Sequence, residues 1–131
     1  MAGYTHINLK EEVEDQAPRF GYGSSMKAHF ARVPLGLEKS GLSYFRIAPD
    51  FRLPFGHRHL EQEETYVVLS GSARMKLDDD VVELKPFDAV RVHGDTMRSF
   101  EAGSEGAEII VFGAPNTENK DAQMTPGWWT D

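Results

Sequence analysis

From residue 28 onward the chain is cut into short apolar or alternating stretches, at 28–33, 42–48, 64–69, 73–77, 81–84, 88–92, 98–101 and 107–112. Residues that favour turns close each one: Pro34-Leu35-Gly36, Ser40-Gly41, Pro49-Asp50, Ser70-Gly71, Asp78-Asp79-Asp80, Pro86, Gly94-Asp95 and Gly103-Ser104. Many short strands at near-regular spacing predict an all-β sandwich, jelly roll or barrel.

A chain of 131 residues suffices for one domain with its own core. Residues 1–27 read as a peripheral arm, 28–113 as the barrel and 114–131 as a polar tail ending in Trp128-Trp129-Thr130-Asp131. Within the arm, Asn8-Leu9-Lys10-Glu11 has the form of a capping box, with Asn8 as N-cap and Glu11 at N3. It predicts a short helix with Leu9 and Val13 on one face, closed by Pro18 and Gly21. Cysteine is absent, which removes disulfides and thiolate metal sites and suits a cytoplasmic location. No apolar run reaches membrane-span length, and the first residues lack the basic and apolar regions of a leader, so a soluble, unprocessed protein is expected. Asp and Glu outnumber Lys and Arg by 21 to 14, a net charge of −7 that argues against nucleic acid as a partner.

The chemistry concentrates in Phe55-Gly56-His57-Arg58-His59-Leu60-Glu61-Gln62-Glu63-Glu64. Side chains at i and i+2 on a strand share a face, so His57 and His59 converge on one point. Glu64 joins them from the start of the next strand. Two imidazoles and a carboxylate make a ligand set for Fe(II), Mn(II), Ni(II) or Zn(II). By the same alternation Tyr66 and Val68 continue Glu64's face, and Phe100 that of Arg98. His93 reads as a solvent-facing turn residue, and His6 and His29 as surface or strand histidines. Tyr44, Phe45 and Ile47 read as core, and the Asp78-Asp79-Asp80 triplet as a solvated hairpin tip.

The segment from His57 to Gly71 resembles the first signature of the cupin family, H-x-H-x(3,4)-E-x(6)-G, matched by His57, His59, Glu64 and Gly71. Phe51 stands where that family has a glycine. The second signature, G-x(5)-P-x-G-x(2)-H-x(3)-N, falls on Phe87, His93, Asp95, Arg98 and Ala102 and carries none of its marked residues, although Gly94 lies one place from the expected glycine. The resemblance implies a cupin double-stranded β-helix, a jelly-roll barrel over about 28–113, with a short N-terminal helix or arm. It also implies a divalent-metal site on His57, His59 and Glu64, and a homodimer paired through edge strands. Where the family's fourth ligand is histidine, this chain has Arg98. An arginine has no lone pair to donate and raises the cost of admitting a dication.

Two readings follow. In one, the protein is a metal-dependent enzyme, an oxygenase or isomerase, with Arg98 orienting a small anionic substrate. In the other it is a metal-free binding or storage module with no cofactor, in which Arg98 clamps an anion and Tyr66 and Phe100 line the pocket. A metal-free isomerase using His57 or His59 as general base is a third and weaker reading.

Overall fold

The computed structural model describes residues 3–131. A 3-10 helix at Ala17–Phe20 precedes β1 (Met26–Phe30), a single helical turn α1 (Arg32–Leu35) and β2 (Gly41–Ile47). There follow β3 (Phe55–His59), β4 (Glu63–Leu77), β5 (Asp80–Leu84), β6 (Ala89–Val92), β7 (Arg98–Ala114) and β8 (Ala122–Pro126). All eight strands join one curled antiparallel sheet in the order β1-β2-β7-β3-β8, with β4 also bonded to β5, β6 and β7. β7 is the spine of this jelly-roll barrel. Its C-terminal half pairs with β2 and β4, and its N-terminal half with β4 and, at Arg98, with His57 of β3. Among the described residues no helix is long and apolar enough to cross a membrane.

Period-2 alternation sorts the side chains. Met26 and Ala28 of β1, Phe45 and Ile47 of β2, and Ala107, Ile109 and Val111 of β7 share the core with Tyr66, Val68, Ala73 and Met75 of β4. Ile47, Val68, Met75, Val92 and Ile109 are almost wholly buried. Each such side chain contributes about 1.5–3 kcal/mol by leaving water. Phe100 bridges the core, its ring 6.0 Å from Phe45 and 6.2 Å from Tyr66.

The stretches at 64–69 and 73–77 are one continuous strand, as are those at 98–101 and 107–112. Ser70-Gly71 does not end the strand. It sits in two register shifts of the β4–β7 ladder, between Val68 and Ser70 and between Gly71 and Ala73, which bend the pair without stopping it. Gly71 has φ +73°, and a Cβ there would lie 2.0 Å from the Gly106 carbonyl oxygen. Only glycine lets the two backbones approach so closely. β1 stops at Phe30, because residues 32–35 coil into α1 and Gly36 closes it in the left-handed region at φ +75°.

The arm departs from expectation. Asn8 does cap, its Oδ1 accepting from the Lys10 and Glu11 amides at 2.9 and 3.0 Å, but one turn follows and no helix. Tertiary contacts override the local signal. Val13 is buried and its carbonyl accepts from His29 Nδ1 at 2.7 Å, while Asp15 accepts from the Ala17 and Ala28 amides. The helical piece comes later, at Ala17–Phe20, with Pro18 inside its start and Gly21 closing it.

Residues 114–131 supply β8 and then a strap over the outer face. Trp128 lies against Gly56, where a Cβ would meet the indole at 2.5 Å, and Trp129 is buried with the Arg52 guanidinium 4.2 Å from its ring centre. Trp128 thus covers the outside of the histidine strand at Gly56, and Trp129 packs against the guanidiniums of Arg52 and Arg74.

Candidate functional site

His57 and His59 sit on the inward face of β3, with Gly56 and Arg58 facing out. Their rings are 5.2 Å apart and nearly perpendicular. Glu64 opens β4 opposite them. Its Oε1 is the meeting point of the site: His57 Nε2 lies at 3.3 Å, His59 Nε2 at 3.5 Å, the Tyr66 hydroxyl donates at 2.8 Å, and Arg98 Nη2 lies at 3.5 Å. One donor atom each from His57, His59 and Glu64 lies within 4.8 Å of the others. This cluster could hold a metal, and two nitrogens with one carboxylate oxygen suit a divalent transition ion.

Electrostatics keep Glu64 ionised. Burial alone would push its carboxyl up, but the hydrogen bonds and charges of His57 and His59 outweigh that and hold it well below the usual carboxylate range. Tyr66 moves the other way. Burial, then the neighbouring Glu64 charge, lift its hydroxyl well above the usual phenol range, so it stays a donor.

Asp121 was not among the sequence candidates. Its Oδ1 lies 3.0 Å from His59 Nδ1, which turns Nε2 toward Glu64. Asp121 is itself fixed by the Thr117 hydroxyl at 2.6 Å and by the Glu61 and Gln62 amides at 3.0 and 2.9 Å. Burial opposes its charge, yet these four partners hold the Asp121 carboxyl well below its ordinary value. Burial likewise opposes charging His59, but Glu64 and Asp121 together raise its pKa. A carboxylate behind an imidazole is the usual way a metal-binding histidine is oriented. The only sequence trace of it was the polar run at 116–123.

Arg98 is fully buried and tied to the protein's own backbone, Nη1 donating to the Gly94 and Thr96 carbonyls at 3.1 and 3.0 Å. Its Nε and Nη2 make no hydrogen bond among the described residues. His93 lies apart, exposed and paired with Asp95. A cavity of about 170 Å³ opens at the barrel mouth and reaches Glu64 over the inward face of the paired strands β2 and β7, lined by Phe30, Arg32, Ser43, Val111 and Asn119 among others. Tyr66, Phe100 and Arg98 stand behind Glu64 and do not line it. Phe100 is packed between aromatic rings, and the Arg98 guanidinium is sealed beneath the carboxylate.

Solved structures of known proteins share this architecture. A cupin protein from Bacteroides fragilis aligns with a TM-score of 0.72 at 20% identity, over 89% of this chain and 88% of that one. A variant of Streptomyces Pac13 with uridine aligns with a TM-score of 0.75 at 16% identity, over 97% and 93%. Pac13 is a nucleoside dehydratase. A cupin-superfamily sugar phosphate isomerase from Silicibacter pomeroyi gives 0.67 at 18%, over 86% and 76%. No protein-family model matches the sequence, and no curated protein matches it. At these identities the likeness is one of architecture. The barrel is of the cupin class; this chain has the cupin fold.

Proposed function

We propose that the protein is a metal-dependent enzyme acting on a small anionic molecule, an oxygenase or isomerase. His57, His59 and Glu64 hold one divalent ion of Fe, Mn, Ni or Zn in this reading. The observation that carries it is the convergence of His57 Nε2 and His59 Nε2 on Glu64 Oε1, the carboxylate of a residue that also lines a cavity. When bound, such an ion supplies Lewis-acid or redox chemistry. The chain's own residues do the rest. Asp121 fixes the His59 ring, and Arg98 offsets the Glu64 charge from below. Tyr66 keeps a proton on its hydroxyl beside Glu64 Oε1, and Val111 with Phe30 gives the small molecule an apolar wall. β1 and β8 end the path of the sheet, and pairing of such edges between copies is how a homodimer would form.

Reconstitution with each ion in turn, followed by elemental analysis, tests the reading. About one equivalent per chain is expected, with loss in His57→Ala and His59→Ala; less than about a tenth of an equivalent of every ion overturns it.

One observation favours a second reading, a metal-free binding module. The fully buried Arg98 has two nitrogens without a hydrogen-bond partner among the described residues, and an anion that displaced the Glu64 carboxylate above it would satisfy them. Anion binding by metal-free protein that is lost in Arg98→Met, with the fold retained by circular dichroism, supports it; binding that survives the substitution rejects it.

A further inference from the structure

The cavity that reaches Glu64 has a charge balance of its own. Three of its lining residues are charged: Arg32, Glu64 and Glu118. Glu64 is neutralised by Arg98 and held by His57, His59 and Tyr66. Glu118 is paired with Lys120 at 3.1 Å; that hydrogen bond and charge, and then the Arg32 charge, hold its carboxyl below the ordinary value. Arg32 has no ion pair of its own among the described residues. Of the eight arginines in the chain, Arg19, Arg52, Arg74, Arg91 and Arg98 each lie against a carboxylate, and Arg58 donates to Gln123. Arg46 faces a separate groove on the outer side. Arg32 is the one arginine that lines this cavity, and it is partly buried there.

The polar groups beside Arg32 divide the same way. Gln62 Nε2 is spent on the Pro115 carbonyl, and Asn116 Nδ2 on the carbonyls of Leu37 and Glu38. The side chains of Ser43 and Asn119 make no hydrogen bond among the described residues, and both line the cavity. Three side chains able to donate are therefore left toward one space, and one is a guanidinium. α1 sets Arg32 at the mouth, and β2 sets Ser43 on the inward face opposite Val111.

We propose that Arg32, with Ser43 and Asn119, forms the anion-recognition end of the barrel site, and that the molecule it takes carries a carboxylate or phosphate group held at the mouth while its other end reaches Glu64. A guanidinium matches either oxyanion with two parallel hydrogen bonds. The cavity is smaller than the 300–1,000 Å³ typical of drug-sized ligands, so the molecule is a compact one. The inference rests on the reading of the site as one for small anions and assigns the accessible contact to Arg32 rather than to the sealed Arg98.

The test uses full-length protein labelled with nitrogen isotope, titrated separately with malonate and with inorganic phosphate and followed by NMR. At least one of the two should move the Arg32 Nε–H resonance saturably, and which one does so separates a carboxylate site from a phosphate site. Arg32→Gln should weaken that binding at least tenfold, Arg32→Lys less, and Arg46→Gln, which removes an equal charge outside the barrel, not at all. Absence of saturable binding to wild type, or equal binding by Arg32→Gln, overturns the proposal. Elemental analysis of the same samples keeps the two claims apart. Binding that depends on Arg32 in protein that takes no metal sinks the metal-enzyme reading and leaves this one standing. Full metal content with no effect of Arg32→Gln does the reverse.

Discussion

Glu64 inside the barrel and Glu108 outside it are both carboxylates that gather donors from distant parts of the chain. Glu64 draws His57, His59, Tyr66 and Arg98. Glu108 accepts from the Tyr44 and Ser70 hydroxyls and pairs with Lys10 at 3.0 Å, tying the N-terminal arm to β2, β4 and β7. Both carboxyls are held below their ordinary value. What separates them is the chemistry of the partners. An ammonium has no lone pair, and neutral hydroxyls are weak ligands beside imidazoles, so the outer cluster has little to offer a metal but the carboxylate. Two imidazoles do carry lone pairs, and one of them is oriented by Asp121. A carboxylate with a lowered pKa therefore does not by itself mark a site. The cavity and the type of donor do.

The sharpest way to break this comparison is to neutralise each glutamate in turn and measure stability with chelator present. Glu64→Gln leaves the Arg98 charge buried without its carboxylate, and stranding a buried charge costs about 3–5 kcal/mol. Glu108→Gln leaves Lys10 in water and the two hydroxyls near an amide oxygen, for a loss of about 1 kcal/mol. Urea denaturation at neutral pH should show the inner variant much the weaker. Equal losses would mean that Arg98 is held by the Gly94 and Thr96 carbonyls alone and that Glu64 adds nothing to the fold.

A smaller effect sharpens the inner half. Asp121→Asn keeps the shape of the loop but removes the charge behind His59. Metal affinity should fall about 10–100-fold, measured by competition with a chromogenic chelator. Wild-type affinity in the variant would reduce Asp121 to a clasp for the loop.

These residues also show where the sequence can be read and where it cannot. Alternation put His57 and His59 on one side because two-residue periodicity is a property of the strand itself, and Glu64 joined them from the start of the next strand, as the cupin signature implies. Asp121 lay beyond reach. It belongs to a non-periodic segment far along the chain, brought to His59 only because β8 pairs with β3. β8 was illegible for a related reason: its side chains are mostly exposed, so no apolar pattern marks it. The joins at Ser70-Gly71 and Gly103-Ser104 read as turns because glycine and serine favour turns and register shifts alike. Deciding between them depends on the partner strand. The capped turn at Asn8 formed as local chemistry predicts, and the helix after it was lost to contacts with β1.

The least of the expected effects concerns acid. Hydrogen bonds from Tyr44, Ser70 and Lys10, in that order and against burial, bring the Glu108 carboxyl down from 4.5 to about 2. A carboxyl depressed in the folded state stabilises fully above its unfolded value and loses that contribution as pH falls through the folded one. The shift taken at face value is large. Lys10 is 63% exposed, however, so solvent screening reduces the contribution to about 1 kcal/mol. Glu108→Gln should therefore be less stable than wild type at pH 7, and the gap should close as pH falls from 4.5 toward 2. Denaturant titrations across that range provide the measurement. A gap that stays constant with pH would show that the Glu108 side chain acts by packing and not by charge, and the likeness between the two glutamates would then end at their hydrogen bonds.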